Sequence, residues 1–272
     1  MIPATFTYLR AGSVDEALDL IARSGDEAKF LAGGHSLVPL MKLRLAVPEV
    51  VVDIGRLGEL AYIRGEGGHI SVGALTSHHD LARSSLLAGE LPLLAHAASQ
   101  VGDPQVRHRG TIGGSLAHAD PAADLPAVML ALDAVLVTQR PSGGRSIPAA
   151  EFFRGLFECA LEPDELLTEI RIPRPAAAGW SFQKFTKRAI DWAIVGVAVQ
   201  GGRVALVNMG STPLRASAVE QALAAGAPPG AAAAHAAEGT SPPTDLNGDP
   251  AYRAHLARVL AGRALAEAAS RG

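Results

Sequence analysis

The apolar pattern of the chain changes near residue 176, and this change limits the folds open to it. Up to residue 173, short strand-like runs alternate with helical runs, which is typical of an α/β or α+β domain. Beyond residue 178, three β-rich runs follow one another through short links, at residues 181–188, 193–199 and 203–208. Such links join antiparallel neighbours and predict a meander. We therefore predict two domains, residues 1–176 and 177–272.

Local signals place most of the individual elements. Ser13 and Glu16 form a capping box at the start of a helix, which Gly25 ends. The other predicted helices cover residues 77–87, 91–101, 124–133 and 251–269. The predicted strands of the first domain cover residues 29–32, 50–54, 62–64, 69–72, 134–138 and 166–172. Two stretches lack a regular pattern and are predicted to be irregular or loose, residues 102–115 and 223–244.

Composition excludes several classes of protein. The net charge is −3, whereas nucleic-acid-binding domains carry a basic stripe. A single cysteine, Cys159, is too little for an iron–sulfur cluster, a zinc knuckle or an internal disulfide. The N-terminus lacks the residue order of a signal peptide, and no apolar run reaches the roughly 18 residues of a membrane span. We expect a cytoplasmic protein that binds neither nucleic acid nor membrane.

Two glycine pairs, Gly33–Gly34 and Gly113–Gly114, lie where regular structure meets a stretch of small residues. Backbone without side chains can approach a phosphate closely, direct N–H groups at it and adopt a positive φ. The hydroxyl groups of Ser36, Thr111 and Ser115 can add hydrogen bonds. Because 29 glycines give about 3 such pairs by chance, and the chain has five, the pairs alone do not distinguish phosphate binding from plain turns.

Motifs for other common cofactors and reactions are missing. The sequence has no G-x-G-x-x-G after the first strand, no G-x-x-x-x-G-K-[ST] and no G-x-S-x-G, which argues against a Rossmann site, a Walker A loop and an esterase elbow. His78 and His79 are adjacent on a predicted helix and point to different faces. His118 and Asp120 lack a third ligand at a metal-like spacing. We expect no metal site.

Two further stretches carry charged residues with alternative roles. Asp124 precedes an apolar helix, where it acts either as the N-cap or as an acceptor for a ribose hydroxyl or an adenine edge. Lys184, Lys187 and Arg188 precede Trp192. They form either a solvated strand edge or a cationic group beside phosphates, with Trp192 as a planar lid. The residues alone leave both pairs of roles open.

Four sequence patterns follow one another across most of the chain. Residues 32–44 read A-G-G-H-S-L-x-P-x-M-K-L-R, and residues 109–126 read R-G-T-I-G-G-S-L-x-x-x-x-P-A-A-D-L-P. Residues 165–173 read E-L-L-x-E-I-x-I-P, and residues 182–193 read F-x-K-x-x-x-R-x-x-D-x-A. Each pattern is short, but the combination and its order are specific. Together they resemble the FAD-binding (medium) subunit of the molybdenum hydroxylase family, of the carbon monoxide dehydrogenase and xanthine dehydrogenase type.

The resemblance implies an α+β fold and a set of FAD contacts. The fold would be a two-lobed FAD-binding domain of the vanillyl-alcohol oxidase and cresol methylhydroxylase type, followed by a smaller C-terminal domain with a three-stranded antiparallel sheet and helices. Trp192 would lie over the flavin ring, and no residue is implied to be catalytic. The implied cofactor-binding residues are Ala32, Gly33, Gly34, His35, Ser36, Leu37, Thr111, Ile112, Gly113, Gly114, Ser115, Asp124, Leu167, Lys184 and Trp192.

The resemblance also implies partners that hold the other cofactors. With 272 residues and one cysteine, the chain is similar to a separate medium subunit. That implies a small iron–sulfur subunit with [2Fe-2S] clusters and a large molybdenum subunit with molybdopterin, in a dimer of heterotrimers. Electrons would pass from the clusters to FAD and on to an external acceptor, a quinone or another molecule. Two alternatives stay open, a self-sufficient flavin oxidase of the same FAD fold and a flavin-free assembly subunit.

Overall fold

The first helix begins where its capping box places it. In the computed structural model, which describes residues 2–176 and 179–272, helix α1 covers Val14–Ser24. The Ser13 hydroxyl accepts a hydrogen bond from the Glu16 N–H at 3.1 Å. The Glu16 carboxylate accepts from the Gly12 N–H at 2.7 Å, one residue before the predicted cap. Gly25 ends the helix at φ +74°, so both predicted boundaries are confirmed.

A small parallel sheet forms the first lobe. Its strands are β1, β2 and β3, at Thr7–Arg10, Ala28–Leu31 and Val50–Asp53, with β3 in the middle. α1 packs on β2 and β3, and β2 leads into the first glycine pair and then into α2 at Leu37–Leu43. The sequence does not predict β1, because three of its four side chains are exposed and it therefore lacks an apolar alternation.

An antiparallel sheet of five strands forms the second lobe. The strands are β4 at Ile63–Glu66, β5 at His69–Gly73, β6 at Val135–Gln139, β7 at Arg145–Pro148 and β10 at Leu166–Pro173. Their order is β4-β5-β10-β6-β7, and a separate two-stranded hairpin joins β8 at Phe153–Gly155 to β9 at Glu158–Cys159. A short 3-10 helix covers Gly58–Leu60. The helices of this lobe are α3 at His78–Arg83, α4 at Ser85–Glu90, α5 at Pro92–Ser99, α6 at Pro104–Arg109, α7 at Ile112–His118, α8 at Asp124–Ala131 and α9 at Ala149–Phe152.

The C-terminal part contains an antiparallel sheet of four strands rather than the predicted three. The strands are β11 at Trp180–Phe185, β12 at Val195–Gln200, β13 at Arg203–Val207 and β14 at Leu214–Arg215, in chain order. Helices α10 at Ser217–Ala224, α11 at Pro229–Ala233 and α12 at Pro250–Ser270 accompany the sheet. β14 has two residues, which is too short for an alternating pattern to reveal.

Three predicted segments differ from the structure, and in two of them short polar caps start or interrupt helices. Residues 102–115, predicted to be irregular, contain α6 and most of α7. Asp103 caps α6 by accepting from the Val106 N–H at 2.9 Å. The predicted helix at residues 77–87 is divided in two at Ser84, whose hydroxyl caps α4. The predicted loose stretch at residues 223–244 contains α11. Side-chain caps of this kind satisfy the free N–H groups of a helix start.

Helix α8 joins the second lobe to the C-terminal sheet. All eight of its residues are buried, and it packs against α5, β12 and β13. One continuous apolar core therefore includes side chains from the second lobe and from the C-terminal sheet. The predicted boundary after residue 176 adjoins residues 177 and 178, which lie outside the described residues, so it stays a prediction. Among the residues described, no helix has both the length and the apolar character needed to cross a membrane.

Candidate functional site

A cavity of about 600 Å³ lies where the two lobes meet the C-terminal sheet. All the residues predicted to bind a cofactor line it except Ile112, whose side chain is fully buried in the core of the second lobe. The volume falls within the range of roughly 300–1,000 Å³ that is usual for small-molecule sites. Residues far apart in sequence thus meet around one space large enough for a ligand.

The first glycine turn presents unpaired backbone donors to this cavity. The chain leaves β2 at Leu31, passes Gly34 at φ +78° and enters α2 at Leu37. Within the described part of the chain, no acceptor is found for the N–H groups of Gly34, His35, Ser36 and Leu37. Several N–H groups that converge on one space form a nest for an anion. These free donors are compatible with the phosphate site predicted for the first turn, which stays a prediction.

The second glycine turn differs, because four of its N–H groups are already paired. Those of Ile112 and Gly113 donate to the carbonyl groups of Thr76 and Ala74 at 3.0 and 2.8 Å. Those of Gly114 and Ser115 donate to the side chain and the carbonyl oxygen of Thr111. The N–H groups of residues 112–115 are therefore not free for a phosphate in this structure, and the predicted role of the second turn in FAD binding stays a prediction. Its hydroxyl groups remain available to a ligand.

Close packing explains why glycine is needed in both turns. A Cβ atom added at Gly33 would lie 1.9 Å from the Arg109 carbonyl oxygen, and one at Gly113 would lie 2.6 Å from the Ala74 Cβ atom. Real Cβ atoms do not approach other atoms this closely, and the neighbours at Gly33 are backbone atoms. The first turn thus lies directly on the residues that precede the second, and together they form one wall of the cavity.

Asp124 and Lys184 form a buried ion pair at the cavity wall. The Lys184 ammonium group donates to Asp124 Oδ2 at 2.7 Å and to the Gln100 carbonyl oxygen at 3.1 Å, and both charged side chains are nearly inaccessible. Burial raises the pKa of Asp124 to about 6, although Lys184 opposes the rise. Asp124 Oδ1 has no hydrogen-bond partner among residues 2–176 and 179–272. Asp124 does not act as the N-cap of α8, since that position belongs to Ala123, so the acceptor role remains.

A second charged network holds the edge of the cavity near Leu167 and is not predicted from the sequence. Glu165 accepts two hydrogen bonds from Arg145, at 2.7 and 2.6 Å, and one from the Thr138 hydroxyl at 2.5 Å. Burial alone would raise the pKa of Glu165, but these hydrogen bonds and one from the Glu162 N–H lower it to about 2. The network fixes the start of β10, which carries Leu167.

His78 also lines the cavity, and the sequence does not predict this position. The side chain is 4% exposed. Burial, followed by the charges of His35 and Arg107, lowers its pKa to about 4, so the ring is neutral at pH 7. No group of three or more metal-ligating side chains is found among the described residues. The burial of His78 depends on the contact of α3 with α5 and α6, which local sequence does not reveal.

Trp192 stands at the mouth of the cavity. Its side chain is 61% exposed, and it lines both this cavity and a second one of about 520 Å³. Lys187 and Arg188 are exposed on the link between β11 and Trp192. Neither has an ion pair within the part of the chain that the structure describes. Trp192, the predicted lid, therefore lines the first cavity. Lys187 and Arg188 do not line that cavity.

The residues present fit a flavin adenine dinucleotide. Free N–H groups on the first turn suit a diphosphate, and the unpaired oxygen of Asp124 suits an O–H or N–H donor of the nucleotide. Leu167, Ile54 and Trp192 add apolar and aromatic surface, as a planar ring system requires. The unpaired donors and the unpaired acceptor are the observations that indicate a bound polar ligand.

Two family models match the chain. One, described as the FAD binding domain in molybdopterin dehydrogenase, matches residues 4–175. The other, described as the CO dehydrogenase flavoprotein C-terminal domain, matches residues 180–268. The two matches occur in the order that the resemblance implies and include all the predicted cofactor-binding residues.

Curated relatives match along almost the whole chain. The carbon monoxide dehydrogenase medium chain of Hydrogenophaga pseudoflava is 42% identical, with 97% of each chain covered. The 6-hydroxypseudooxynicotine dehydrogenase complex subunit alpha of Paenarthrobacter nicotinovorans is also 42% identical, over 100% of this chain and 97% of the relative. The xanthine dehydrogenase FAD-binding subunit of Escherichia coli O157:H7 is 28% identical over 96% of this chain and 95% of the relative.

Solved structures agree with these matches. A chain of carbon monoxide dehydrogenase from Hydrogenophaga pseudoflava superposes with a TM-score of 0.95 at 44% identity, covering 100% of this chain and 99% of that one. A chain of quinoline 2-oxidoreductase from Pseudomonas putida 86 superposes with a TM-score of 0.92 at 32% identity, covering 99% of each. The predicted α+β class, family and FAD cofactor are confirmed. The chain belongs to the FAD-binding medium subunits of molybdenum hydroxylases of the carbon monoxide dehydrogenase and xanthine dehydrogenase type.

Proposed function

We propose that this chain holds one FAD in the cavity between its two glycine turns and relays electrons from a partner subunit to an external acceptor. The observation that carries the proposal is the group of unpaired N–H donors at Gly34, His35, Ser36 and Leu37 beside the cavity. When bound, FAD supplies the redox chemistry, and the protein supplies position and electrostatics. The chain is accordingly an oxidoreductase component that does not itself transform the organic or gaseous substrate.

Each part of the cavity wall has a separate role in this proposal. The N–H groups of the first turn bind the diphosphate, and the hydroxyl groups of Thr111 and Ser115 add hydrogen bonds from the second. Asp124 accepts from a hydroxyl or an N–H of the nucleotide, and Lys184 keeps its carboxylate in place. Trp192 limits the access of water at the mouth. None of these roles needs a general acid or base, which agrees with a relay rather than a substrate-transforming site.

The family to which this chain belongs supports the presence of partner subunits. Relatives are named as a medium chain and as a subunit of a dehydrogenase complex, so we place the iron–sulfur clusters on a small subunit and the molybdenum cofactor on a large subunit, in a dimer of heterotrimers. The single cysteine of this chain agrees with that division. The curated relatives are named for different substrates, including carbon monoxide, glyceraldehyde and caffeine. Since similar medium subunits serve different reactions, we infer that the large subunit selects the substrate. Purification of the native complex tests this composition.

Reconstitution with FAD tests the proposal directly. The purified chain is expected to bind one FAD per chain, and Gly114→Val is expected to abolish binding while circular dichroism stays unchanged. A Cβ atom at Gly114 would lie 2.8 Å from Thr111 Oγ1 and 4.0 Å from the Ala32 Cβ atom, so the larger valine displaces the Thr111 hydroxyl and fills the space between the turns. A parent chain that takes up no FAD would support the flavin-free assembly subunit instead, and a Gly114→Val variant that binds FAD like the parent would contradict the placement of FAD between the turns. Turnover of an alcohol or phenol by the isolated chain would support the self-sufficient oxidase.

The affinity for FAD is expected to rise between about pH 5 and pH 7. Without ligand the pKa of Asp124 is raised to about 6, and a donor on Oδ1 favours the carboxylate, so binding releases a proton below that pH. Affinity therefore falls by up to about tenfold for each pH unit below the pKa. The pKa of His78, about 4, lies outside this window. Titration calorimetry measures the effect. Asp124→Asn is expected to make the profile flat, and an unchanged slope in this variant contradicts the assignment.

A further inference from the structure

Trp192 forms a wall between two cavities but has little packing of its own. It lines the cavity proposed for FAD and also the second cavity of about 520 Å³. Because most of its side chain is exposed, apolar burial contributes little to its position. The residues that follow it, Ala193 and Ile194, are buried and continue into β12. The place of Trp192 therefore depends on what holds the backbone of these two residues.

Asn208 holds that backbone through its side chain. Its amide Nδ2 donates to the carbonyl oxygen of Ala193 at 2.8 Å and to that of Ile194 at 3.3 Å. Its own N–H donates to the carbonyl oxygen of Pro121 at 2.8 Å, on the loop between α7 and α8. Asn208 has a positive φ of +61°, a conformation that asparagine adopts more readily than most residues. One residue thus connects the α7–α8 loop to the backbone of the two residues that follow Trp192.

Arg253 binds the same backbone segment. It lies on α12, its side chain is fully buried, and its Nη1 donates to the Ile194 carbonyl oxygen. Its Nη2 lies 2.7 Å from Asp245 Oδ1, so the buried charge has a counter-ion. A buried guanidinium group is costly unless it is paired. Asn208, which follows β13, therefore binds the carbonyl oxygens of Ala193 and Ile194, and Arg253 of α12 also binds that of Ile194.

We propose that Asn208, supported by Arg253, is a positioning residue that sets the place of Trp192 and so controls how far a flavin in the neighbouring cavity is exposed to solvent. The part concerning the flavin rests on the function proposed above. The part concerning Trp192 does not, since every contact that carries it is made within this chain. Asn208 does not line the first cavity. It acts on Trp192 only through the backbone of Ala193 and Ile194.

Two substitutions separate positioning from general stability. Asn208→Gly keeps the positive φ, which glycine adopts freely, but removes both side-chain hydrogen bonds. Asn208→Asp keeps the shape but replaces the donor with an acceptor that faces two carbonyl groups. Asn247→Gly is the matched control, because Asn247 lines the second cavity but its side chain makes none of these contacts. All variants carry Trp180→Phe, so that Trp192 is the remaining tryptophan.

Time-resolved fluorescence anisotropy of Trp192 in the protein without FAD is the first measurement. The displaced population of Trp192 is expected to rise about fivefold for each hydrogen bond lost in Asn208→Gly, and to rise further in Asn208→Asp. Asn247→Gly is expected to match the parent. Unchanged anisotropy in both Asn208 variants, with or without a lower melting temperature, would overturn the proposal, because a merely structural role alters stability without freeing Trp192.

Iodide quenching of flavin fluorescence in the FAD-bound protein is the second measurement. The quenching constant is expected to rise several-fold in both Asn208 variants and to stay constant in Asn247→Gly. A freed Trp192 with unchanged flavin quenching would overturn the part of the proposal that concerns flavin exposure. If neither the parent nor any variant binds FAD, the proposed function fails. The anisotropy result still tests whether Asn208 positions Trp192.

Discussion

Gly33→Ala is expected to weaken FAD binding by about 100-fold or more, the equivalent of losing about two hydrogen bonds to a charged group. The new Cβ atom would lie 1.9 Å from the Arg109 carbonyl oxygen and 3.1 Å from the Gly110 Cα atom. These are backbone atoms that cannot rotate away, so the first turn has to move off the second. The N–H groups of residues 34–37 are then no longer placed to bind the same diphosphate. Fluorescence titration with FAD measures the change.

Gly89→Ala is the control for this prediction. Gly89 lies in α4, and an added Cβ atom there would meet nothing within 4 Å. Alanine favours the helix over glycine by up to about 1 kcal/mol, so this variant is expected to bind FAD normally and to be at least as stable as the parent. An unchanged dissociation constant in Gly33→Ala, with Gly89→Ala also unchanged, would show that the first turn does not hold the diphosphate.

Glu165→Gln is expected to lower the free energy of unfolding by about 3 kcal/mol at pH 7. The pKa of Glu165 is lowered from 4.5 to about 2, and each unit corresponds to about 1.4 kcal/mol. Because the folded-state pKa lies below the unfolded-state value, this stabilisation is complete above about pH 4.5 and is lost as the pH falls toward 2. The difference between parent and variant should therefore shrink as the pH is lowered.

Urea unfolding at several pH values measures this difference. Glu158→Gln is a suitable control, because Glu158 is exposed on the β8–β9 hairpin and its removal is expected to change stability by less than about 0.5 kcal/mol. A gap between parent and Glu165→Gln that persists undiminished at low pH would contradict the assigned pKa. Since Glu165 also lines the cavity, a moderate loss of FAD affinity is expected in the same variant.

Elements with a local cause could be predicted from the sequence, and α1 is the clearest case. Its cap at Ser13 and its stop at Gly25 depend on neighbouring residues alone, and the structure confirms both. The three longer strands of the C-terminal sheet could also be predicted from local features, their apolar composition and the short links between them. β14 and β1 were not, because each is held mainly by pairing with a distant strand.

The cavity wall shows the same division between local and distant causes. The glycine turns carry short patterns, so their residues could be named from the sequence, and all but Ile112 line the cavity. The N–H groups of Ile112 and Gly113 donate to the carbonyl groups of Thr76 and Ala74. That segment lies some 38 residues earlier in the chain, and no local pattern encodes the contact. Glu165 and His78 were missed because their roles depend on burial by remote elements.

A structure of the protein with FAD bound tests the central claim most directly. The account predicts both phosphorus atoms beside the first turn, with phosphate oxygen atoms accepting from the N–H groups of Gly34, His35, Ser36 and Leu37, and an N–H or O–H group of the nucleotide on Asp124 Oδ1. The second turn should contribute hydroxyl groups rather than backbone donors. A diphosphate bound away from residues 33–37, with those N–H groups still unpaired, would contradict it.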